Sequence, residues 1–250
     1  MWAVLSDIHA NLEALLAVLQ DMERFRPSAA FCLGDTLGYG PNPLECLDLT
    51  RRFRVTLRGN FEHAVLNGSD GFGEVAERSV HWTRDELEKP GPDRIRRFEF
   101  LGSRPWTHQE REYLFVHASP RNPLHEYVFP EDIYCPPKLT QIFALFSRYC
   151  FNGHTHIPGM IVQDGSADRW RYVRPEEVEF NYRLDDRKTL INVGSVGQPR
   201  HGDWRASYAL LDGDTVRFRR VDYDVNTTIK KIHDIPDLDD FLGDRLGEGR

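Results

Sequence analysis

Seven residues of this sequence have side chains that commonly bind metal ions, and they lie in short polar segments that follow apolar runs. They are Asp7, His9, Asp35, Asn60, His117, His154 and His156. Carboxylates, imidazoles and an amide oxygen are ligands that transition metals bind in proteins. A pair of such ions activates water and stabilises the charge that develops on a phosphate during hydrolysis. The set indicates a paired-metal site that cleaves phosphate esters.

Taken one at a time, these residues have ordinary structural explanations. Asp7 could cap a following helix, and Asp35 and Asn60 could occupy turns beside glycine. His117, which follows an apolar run, could be a hydrogen-bonded core histidine. The Gly-His-Thr-His segment at 153–156 is more specific, because alternate residues of an extended chain place two imidazoles on one side. The segments together favour metal binding.

Short apolar runs that predict β-strands precede most of these segments. The predicted strands are residues 2–6, 29–33, 53–57, 113–116, 149–152 and 189–193, followed by a hairpin of residues 207–211 and 215–221. In open α/β sheets the ligand crevice lies beyond the carboxyl ends of the strands. The ligand segments are therefore expected to converge there.

Helical periodicity appears between the predicted strands. The leucines Leu12, Leu15, Leu16 and Leu19 recur at i, i+3, i+4 and i+7, which predicts a helix with this stripe in the core. Residues 74–88 predict a second helix, which prolines and a glycine end.

Length and composition favour one soluble globular unit. With 250 residues and 40% hydrophobic content, a single domain spanning residues 1–250 is expected. No run approaches the ~20 apolar residues of a membrane helix. The amino terminus lacks a secretory leader, so we expect a cytoplasmic protein with no membrane partner. The charged carboxyl-terminal tail could cap the sheet or mediate contacts between subunits, so a homo-oligomer stays open.

Charge bears on the class of partner. A net charge of −7 argues against broad binding to nucleic acid, which is expected at most as a phosphodiester substrate. A small phosphate ester is the expected substrate, and a nuclease is a weaker alternative.

The cysteines give no sign of a metal or redox site of their own. Cys32, Cys46, Cys135 and Cys150 lie far apart and form no CxxC pair. We expect them to be buried, reduced thiols.

Six segments in this order resemble the calcineurin-like metallophosphoesterase superfamily, and within it the small bacterial phosphoesterases of the YfcE-like type. They are Ser-Asp-Ile-His (6–9), Leu-Gly-Asp (33–35), Arg-Gly-Asn (58–60), Val-His-Ala-Ser-Pro (116–120), Gly-His-Thr-His (153–156) and Asn-Val-Gly-Ser-Val-Gly-Gln-Pro-Arg (192–200). The resemblance covers most of the chain. It implies an α/β fold of two mixed sheets packed face to face with helices outside, a four-layer α/β/β/α sandwich.

The resemblance also implies how the ligands are shared between two divalent or trivalent ions. Asp7, His9 and His156 would hold one ion. Asn60, His117 and His154 would hold the other, and Asp35 would bridge the two. Manganese, iron, zinc or nickel suits such oxygen and nitrogen ligands.

The implied chemistry is hydrolysis of phosphomonoesters or phosphodiesters. Water between the two ions would become hydroxide near neutral pH and attack phosphorus in line, while the ions neutralise the phosphate oxygens. Asn60 is the ligand that we also expect to contact the substrate and take part in catalysis.

One position departs from the family pattern. The Gly-Asn pair is normally followed by a histidine that donates a proton to the leaving oxygen, and this chain has Phe61 there. His63 is the candidate replacement, although a displacement of two residues on a helical turn points to another face. Glu62, the acidic residue of the pattern, is a further candidate. Loss of the acid leaves an alternative function, a metal-binding scaffold with weak or no catalysis.

The loop 198–205 follows the last ligand-like strand and carries Arg200, which is predicted to clamp a phosphate oxygen. An ordinary solvated loop is an equal alternative. Tyr39 and His125 also follow ligand turns and could shape a pocket, with packing the favoured role. Monoester or diester preference and the identity of the metals stay open.

Overall fold

The computed structural model describes residues 1–165 and 169–250. The strands are β1 (Trp2–Leu5), β2 (Ala29–Cys32), β3 (Val55–Thr56), β4 (Thr107–Glu110), β5 (Tyr113–Val116), β6 (Tyr149–Asn152), β7 (Gly159–Gln163), β8 (Trp170–Val173), β9 (Asn181–Arg183), β10 (Thr189–Asn192), β11 (Ala206–Asp212) and β12 (Thr215–Val221). The helices are α1 (Leu12–Phe25), α2 (Pro43–Thr50), α3 (Asn60–Asn67), α4 (Glu74–Glu88), α5 (Arg94–Gly102), α6 (Pro136–Phe143), α7 (Val225–His233) and α8 (Asp240–Glu248). Short 3₁₀ helices lie at Pro130–Tyr134 and Pro175–Val178.

The strands form two six-stranded mixed sheets. Their orders are β3-β2-β1-β11-β12-β9 and β4-β5-β6-β10-β7-β8. β1, β2 and β3 run parallel, as do β5, β6 and β10. Parallel neighbours end at the same edge of a sheet, so the segments after these strands are brought together.

The two sheets pack face to face through an aromatic-rich core. Val4 and Phe31 point inward from the first sheet, and Phe115 and Phe151 point inward from the second. The rings of Phe31 and Phe115 stack across the interface with centroids 4.7 Å apart. Because side chains alternate along a strand, the neighbouring residues of the same strands face outward.

Helices cover both outer faces. In the first sheet, the outward-facing Leu5 packs with Leu15 of α1. In the second sheet, Val116 and Cys150 pack with Ile142 of α6. The order of layers is helix, sheet, sheet, helix, which confirms the predicted four-layer α/β/β/α architecture.

Local sequence signals explain where the first helix lies. The side chain of Asn11 caps α1 by accepting a hydrogen bond from the backbone N–H of Ala14 at 3.1 Å. The helix ends where Arg26 adopts a left-handed conformation with φ 49°. The segment from Asp7 to Asn11 is therefore a tight connection between β1 and α1, with little freedom to move its side chains away from the sheet edge.

Several sequence expectations need correction. The predicted strand 53–57 is reduced to β3, because the backbone N–H of Phe53 closes a turn onto the Thr50 carbonyl. Leu16, predicted in the core, is 49% exposed, since the packed stripe of α1 is narrower than expected. Cys135, predicted to be buried, is exposed between two short helices, although all four cysteines are unpaired as expected.

The carboxyl-terminal helices α7 and α8 pack on each other and on the rest of the fold. Ile232, Leu242 and Leu246 form a cluster with Trp82 of α4. Among the described residues, no helix is both long and apolar enough to cross a membrane.

Candidate metal centre

The seven predicted ligands lie at the carboxyl ends of strands in both sheets. Asp7 and Asp35 follow β1 and β2, and Asn60 begins α3 after β3. His117 follows β5, and the pair at 154–156 follows β6. The topology brings these segments to one edge of the sandwich, as predicted from the apolar runs.

Five of these ligands adopt the left-handed backbone conformation. The φ values are 55° for Asp7, 47° for His9, 50° for Asp35, 66° for His154 and 63° for His156. Such a conformation costs about 1–3 kcal/mol for a residue other than glycine and persists only where its surroundings enforce it. Hydrogen bonds between the loops do so here, since the Asp7 and His9 N–H groups donate to the carbonyls of Gly34 and Asp35 at 3.0 and 2.9 Å.

The first ligand group consists of Asp7, His9 and His156. The His9 and His156 Nε2 atoms are 3.1 Å apart, and His156 Nε2 lies 3.2 Å from Asp7 Oδ1. The Nδ1 atoms of the two histidines lie 3.0 and 2.5 Å from the carbonyl oxygens of Leu37 and Gln198. Since a carbonyl only accepts, each Nδ1 carries the hydrogen and each Nε2 presents a lone pair.

In this group acceptor atoms face acceptor atoms in a buried site. Within residues 1–165 and 169–250, Asp7 Oδ1 has no hydrogen-bond donor. Burial and the repulsion of His156 hold the pKa of His9 well below its usual value. Burial and the repulsion of Arg200 lower the pKa of His156. Both rings are therefore neutral near pH 7. A cation between the three atoms would remove their mutual repulsion. The donor set fits a metal ion, whose imidazole and carboxylate ligands lie at ~2.0–2.2 Å.

The second group is built around His117 Nε2. This atom lies 2.9 Å from Asn60 Oδ1, 3.1 Å from His154 Nδ1 and 3.4 Å from Asp35 Oδ2. All four residues are buried. Burial and repulsion by His117 lower the pKa of His154 to about 2, so this imidazole is neutral.

Asp35 lies between the two groups. Its Oδ2 atom is 3.8 Å from His9 Nε2 and 3.4 Å from His117 Nε2. Its Oδ1 atom accepts a hydrogen bond from the backbone N–H of Phe61 at 2.9 Å. This orientation suits a carboxylate that serves both groups, which is the arrangement implied by the sequence resemblance.

Glu62 holds the bridging loop in place. Its buried carboxylate accepts hydrogen bonds from the backbone N–H groups of Asp35, Leu37 and Gly59 at 2.8, 3.0 and 2.8 Å. Burial and the charge of Asp35 raise the pKa of Glu62 to about 7. Because the carboxylate is committed to backbone groups, it does not face the cavity as a proton donor.

A cavity of about 460 Å³ opens beside the ligands, and Arg200 lines it. The Arg200 guanidinium donates to the Gln198 side-chain oxygen at 2.7 and 3.2 Å. Among residues 1–165 and 169–250, no carboxylate forms an ion pair with Arg200. Gln198 therefore positions both this arginine, through its side chain, and His156, through its carbonyl.

His63 does not line the cavity. Two residues along a helix rotate a side chain by about 200°, so His63 points away from the side that Phe61 occupies. Its ring lies 6.3 Å from that of His125 and 6.2 Å from that of Trp106. The predicted proton donor therefore lies outside the described cavity wall, because the helix turns its side chain away from the cavity.

Other residues that line the cavity were not predicted from the sequence to belong to the site. Tyr39 and His125, assigned to packing, both line it, and so do Phe72 and Tyr127. The Tyr127 ring stacks on that of His154 with centroids 4.0 Å apart. Glycines flank both Tyr39 and Phe72 and were the available signal for these two residues, whereas Tyr127 carried none.

We predict that Glu62→Ala lowers the free energy of unfolding of the metal-free protein by about 3 kcal/mol, because it leaves three backbone N–H groups without acceptors. Urea denaturation measures this loss. Glu74→Ala, an exposed carboxylate on α4, is the control and is expected to change stability by less than about 0.5 kcal/mol. Equal effects of the two substitutions would contradict the role of Glu62.

We also predict that metal binding releases a proton from His117. Burial lowers the pKa of His117, but the attraction of Asp35 outweighs it and raises the pKa to about 9 without metal. A metal must displace this proton at lower pH, so affinity rises as pH approaches 9. Calorimetry of Mn²⁺ binding in buffers of different ionisation enthalpy measures the released proton. Affinity independent of pH between about 6.5 and 8.5 would contradict this.

Comparisons with known proteins agree with this geometry. The calcineurin-like phosphoesterase superfamily domain matches residues 1–216. The chain is 35% identical over 260 residues to "Uncharacterized protein MJ0912" of Methanocaldococcus jannaschii, covering 100% of this chain and 98% of that protein.

Similar proteins are also found among solved structures. The metallophosphoesterase from Sphaerobacter thermophilus is 33% identical, with a TM-score of 0.84 over 100% of this chain and 98% of its own. Similar structures also include the E. coli phosphoesterase YfcE, at 17% identity and a TM-score of 0.41 over 86% of this chain and 90% of its own. The match to the family model over residues 1–216 shows that the chain belongs to the calcineurin-like phosphoesterase superfamily.

Proposed function

We propose that this protein is a phosphoesterase that hydrolyses small phosphate esters at two metal ions. The observation that carries the proposal is the convergence of buried carboxylate and imidazole side chains in two groups, with the Asp35 carboxylate between them. Manganese, iron, zinc and nickel all suit these ligands. Bound ions would lower the pKa of a water molecule and neutralise charge on the phosphate.

The chain's own residues would orient the reaction. Asp7, His9 and His156 would hold one ion, and Asn60, His117 and His154 the other, with Asp35 between them. The Asn60 amide has an NH₂ group as well as the oxygen that faces His117, so it can donate to a phosphate oxygen. Asn60 would then contact both the ion and the substrate.

Arg200 is the proposed substrate clamp. Its guanidinium lines the cavity and carries more N–H donors than its two bonds to Gln198 use. A planar guanidinium binds phosphate oxygens in a bidentate manner. The reason to expect a bound anion is that this cationic group lies beside the ligands without a carboxylate of its own among the described residues.

We predict that Arg200→Ala lowers kcat/KM by about ten- to a hundredfold, because hydrogen bonds to charged groups contribute about 1.5–3 kcal/mol. Steady-state kinetics on an aryl phosphate measures this. Arg183→Ala, which removes an exposed arginine paired with Asp214, is the matched control. Unchanged KM and kcat for Arg200→Ala would remove Arg200 from the site.

Phe61 sets the proposed substrate preference. Its ring is buried and lies 5.1 Å from the ring of His9 and 4.5 Å from that of Tyr39, so it occupies a place beside the first ligand group. A phenyl ring donates no proton to a leaving oxygen. Leaving groups that are stable as anions should therefore be favoured.

We predict that aryl esters and phosphoanhydrides are hydrolysed far faster than alkyl phosphates, and that Phe61→His raises kcat/KM for alkyl phosphates by about a hundredfold through proton donation. Tyr134→His, at an exposed ring, is the control substitution. Comparable kcat/KM for aryl and alkyl esters in the unaltered protein would refute the role of Phe61.

The second candidate function is a metal-binding scaffold, and Phe61 is the observation that favours it. A protein that binds two metal ions without hydrolysing activated esters would support the scaffold. Metal-dependent turnover would support the enzyme. A cytoplasmic location and small phosphate-ester substrates, mono- or diesters, belong to the same proposal, and a homo-oligomer is compatible with it.

A further inference from the structure

Part of the cavity wall is aromatic and not metal-binding. Tyr39, Phe61 and Phe72 line it, with Ala76 beside them. The rings form a continuous series, with centroids 4.5 Å apart between Tyr39 and Phe61 and 5.0 Å apart between Phe61 and Phe72. A cavity of about 460 Å³ has the size of a small-molecule site and holds more than a phosphate group.

The Phe61 ring is a buried and fixed part of this wall. It is 3% exposed. A Cβ atom at Gly38 would lie 2.1 Å from Phe61 Cδ1, and Gly38 has φ +84°, so glycine at that position makes room for the ring. The ring cannot withdraw without disturbing both His9 and Tyr39, against which it packs.

Phe72 is presented differently, on a turn that enters α4. Its backbone N–H donates to the Ser69 carbonyl at 3.0 Å, and the Ser69 hydroxyl donates to Glu77 of α4 at 3.2 Å. The glycines on either side, Gly71 and Gly73, have open space where a side chain would lie. Phe72 is therefore a half-buried ring on an anchored turn, with glycine on both sides of it.

We propose that Tyr39, Phe61 and Phe72 form a subsite for a planar aromatic ring in the leaving group of the substrate. This inference rests on the proposed phosphoester hydrolysis and names its substrate class. Aromatic pairs interact favourably beyond the area that they bury. The ring would lie on Phe72 and against Tyr39, while Arg200, whose guanidinium carbon lies 5.9 Å from the Tyr39 ring centre, binds the phosphate.

The subsite and Phe61 select for the same chemistry. Phe61 provides no proton for the leaving oxygen, and an aromatic leaving group attached through oxygen departs readily as an anion. Recognition and departure are nevertheless separable, because a fluorinated alcohol can match the acidity of a phenol without having a ring.

The test compares methyl phenyl phosphate with methyl hexafluoroisopropyl phosphate, whose leaving alcohols have similar acidity. We expect kcat/KM to favour the phenyl ester by about three- to tenfold, in line with the strength of aromatic pairs. Phe72→Leu should bring the ratio of the two esters close to one, and Phe72→Tyr should preserve it. Tyr134→Leu, which removes an exposed ring outside the cavity wall, should leave both esters unchanged.

Each outcome separates this inference from the proposed function. Metal-dependent hydrolysis of both esters at equal kcat/KM, or a ratio that Phe72→Leu leaves intact, overturns the subsite while the phosphoesterase stands. Failure to hydrolyse either diester or the corresponding monoesters, phenyl phosphate and hexafluoroisopropyl phosphate, contradicts the phosphoesterase itself, and the subsite falls with it.

Inhibition experiments distinguish the two sources of such a ring. Inhibition of phenyl ester hydrolysis by adenosine that Phe72→Leu relieves assigns the subsite to the nucleobase of a nucleotide, which would leave from a phosphoanhydride as a phosphate anion. Inhibition by phenol alone, relieved in the same way, assigns it to a monocyclic aryl group. Inhibition by neither compound overturns the subsite.

Discussion

Buried acceptor atoms that face one another without donors are the constraint on which the rest of this structure depends. The neutral Nε2 atoms of His9 and His156 lie 3.1 Å apart, and that of His156 lies 3.2 Å from the carboxylate of Asp7, with no proton between these atoms. Such atoms repel unless a cation lies among them. The two sheets bring the loops to a common edge, and a cation bound at that edge, as proposed, would make their convergence favourable.

The surrounding residues maintain this arrangement at an energetic cost. Five ligands have left-handed backbones, and the hydrogen bonds of neighbouring loops fix them. Glu62 ties three backbone groups together beneath the shared carboxylate. A Cβ at Gly59 would lie 2.1 Å from Asp35 Oδ1, so only glycine allows this close approach. The motif residues that bind no metal thus have a structural purpose of their own.

The strands and the polar segments that follow them were predictable, because strand periodicity and polar strand ends are local signals. The order of the four layers was predicted from the family resemblance and not from periodicity. Helix α4 was predicted with its observed ends. The remaining cavity wall was not predictable, since Tyr39, Phe72, His125 and Tyr127 come from separate loops whose convergence depends on tertiary packing. The exposure of Leu16 and Cys135 likewise depends on which neighbours cover them. Periodicity within one helix or a cysteine count contains no information about those neighbours.

Manganese-dependent hydrolysis of bis(p-nitrophenyl) phosphate, measured for the native protein and for Asp35→Asn, tests the central claim most directly. Asp35 is the only one of the predicted ligands placed to serve both groups. The account predicts turnover that requires added metal and is lost in Asp35→Asn, with the variant still folded by circular dichroism. Turnover that persists in the variant, or that is unchanged when a chelator removes the metal, would contradict a shared carboxylate at a two-metal site.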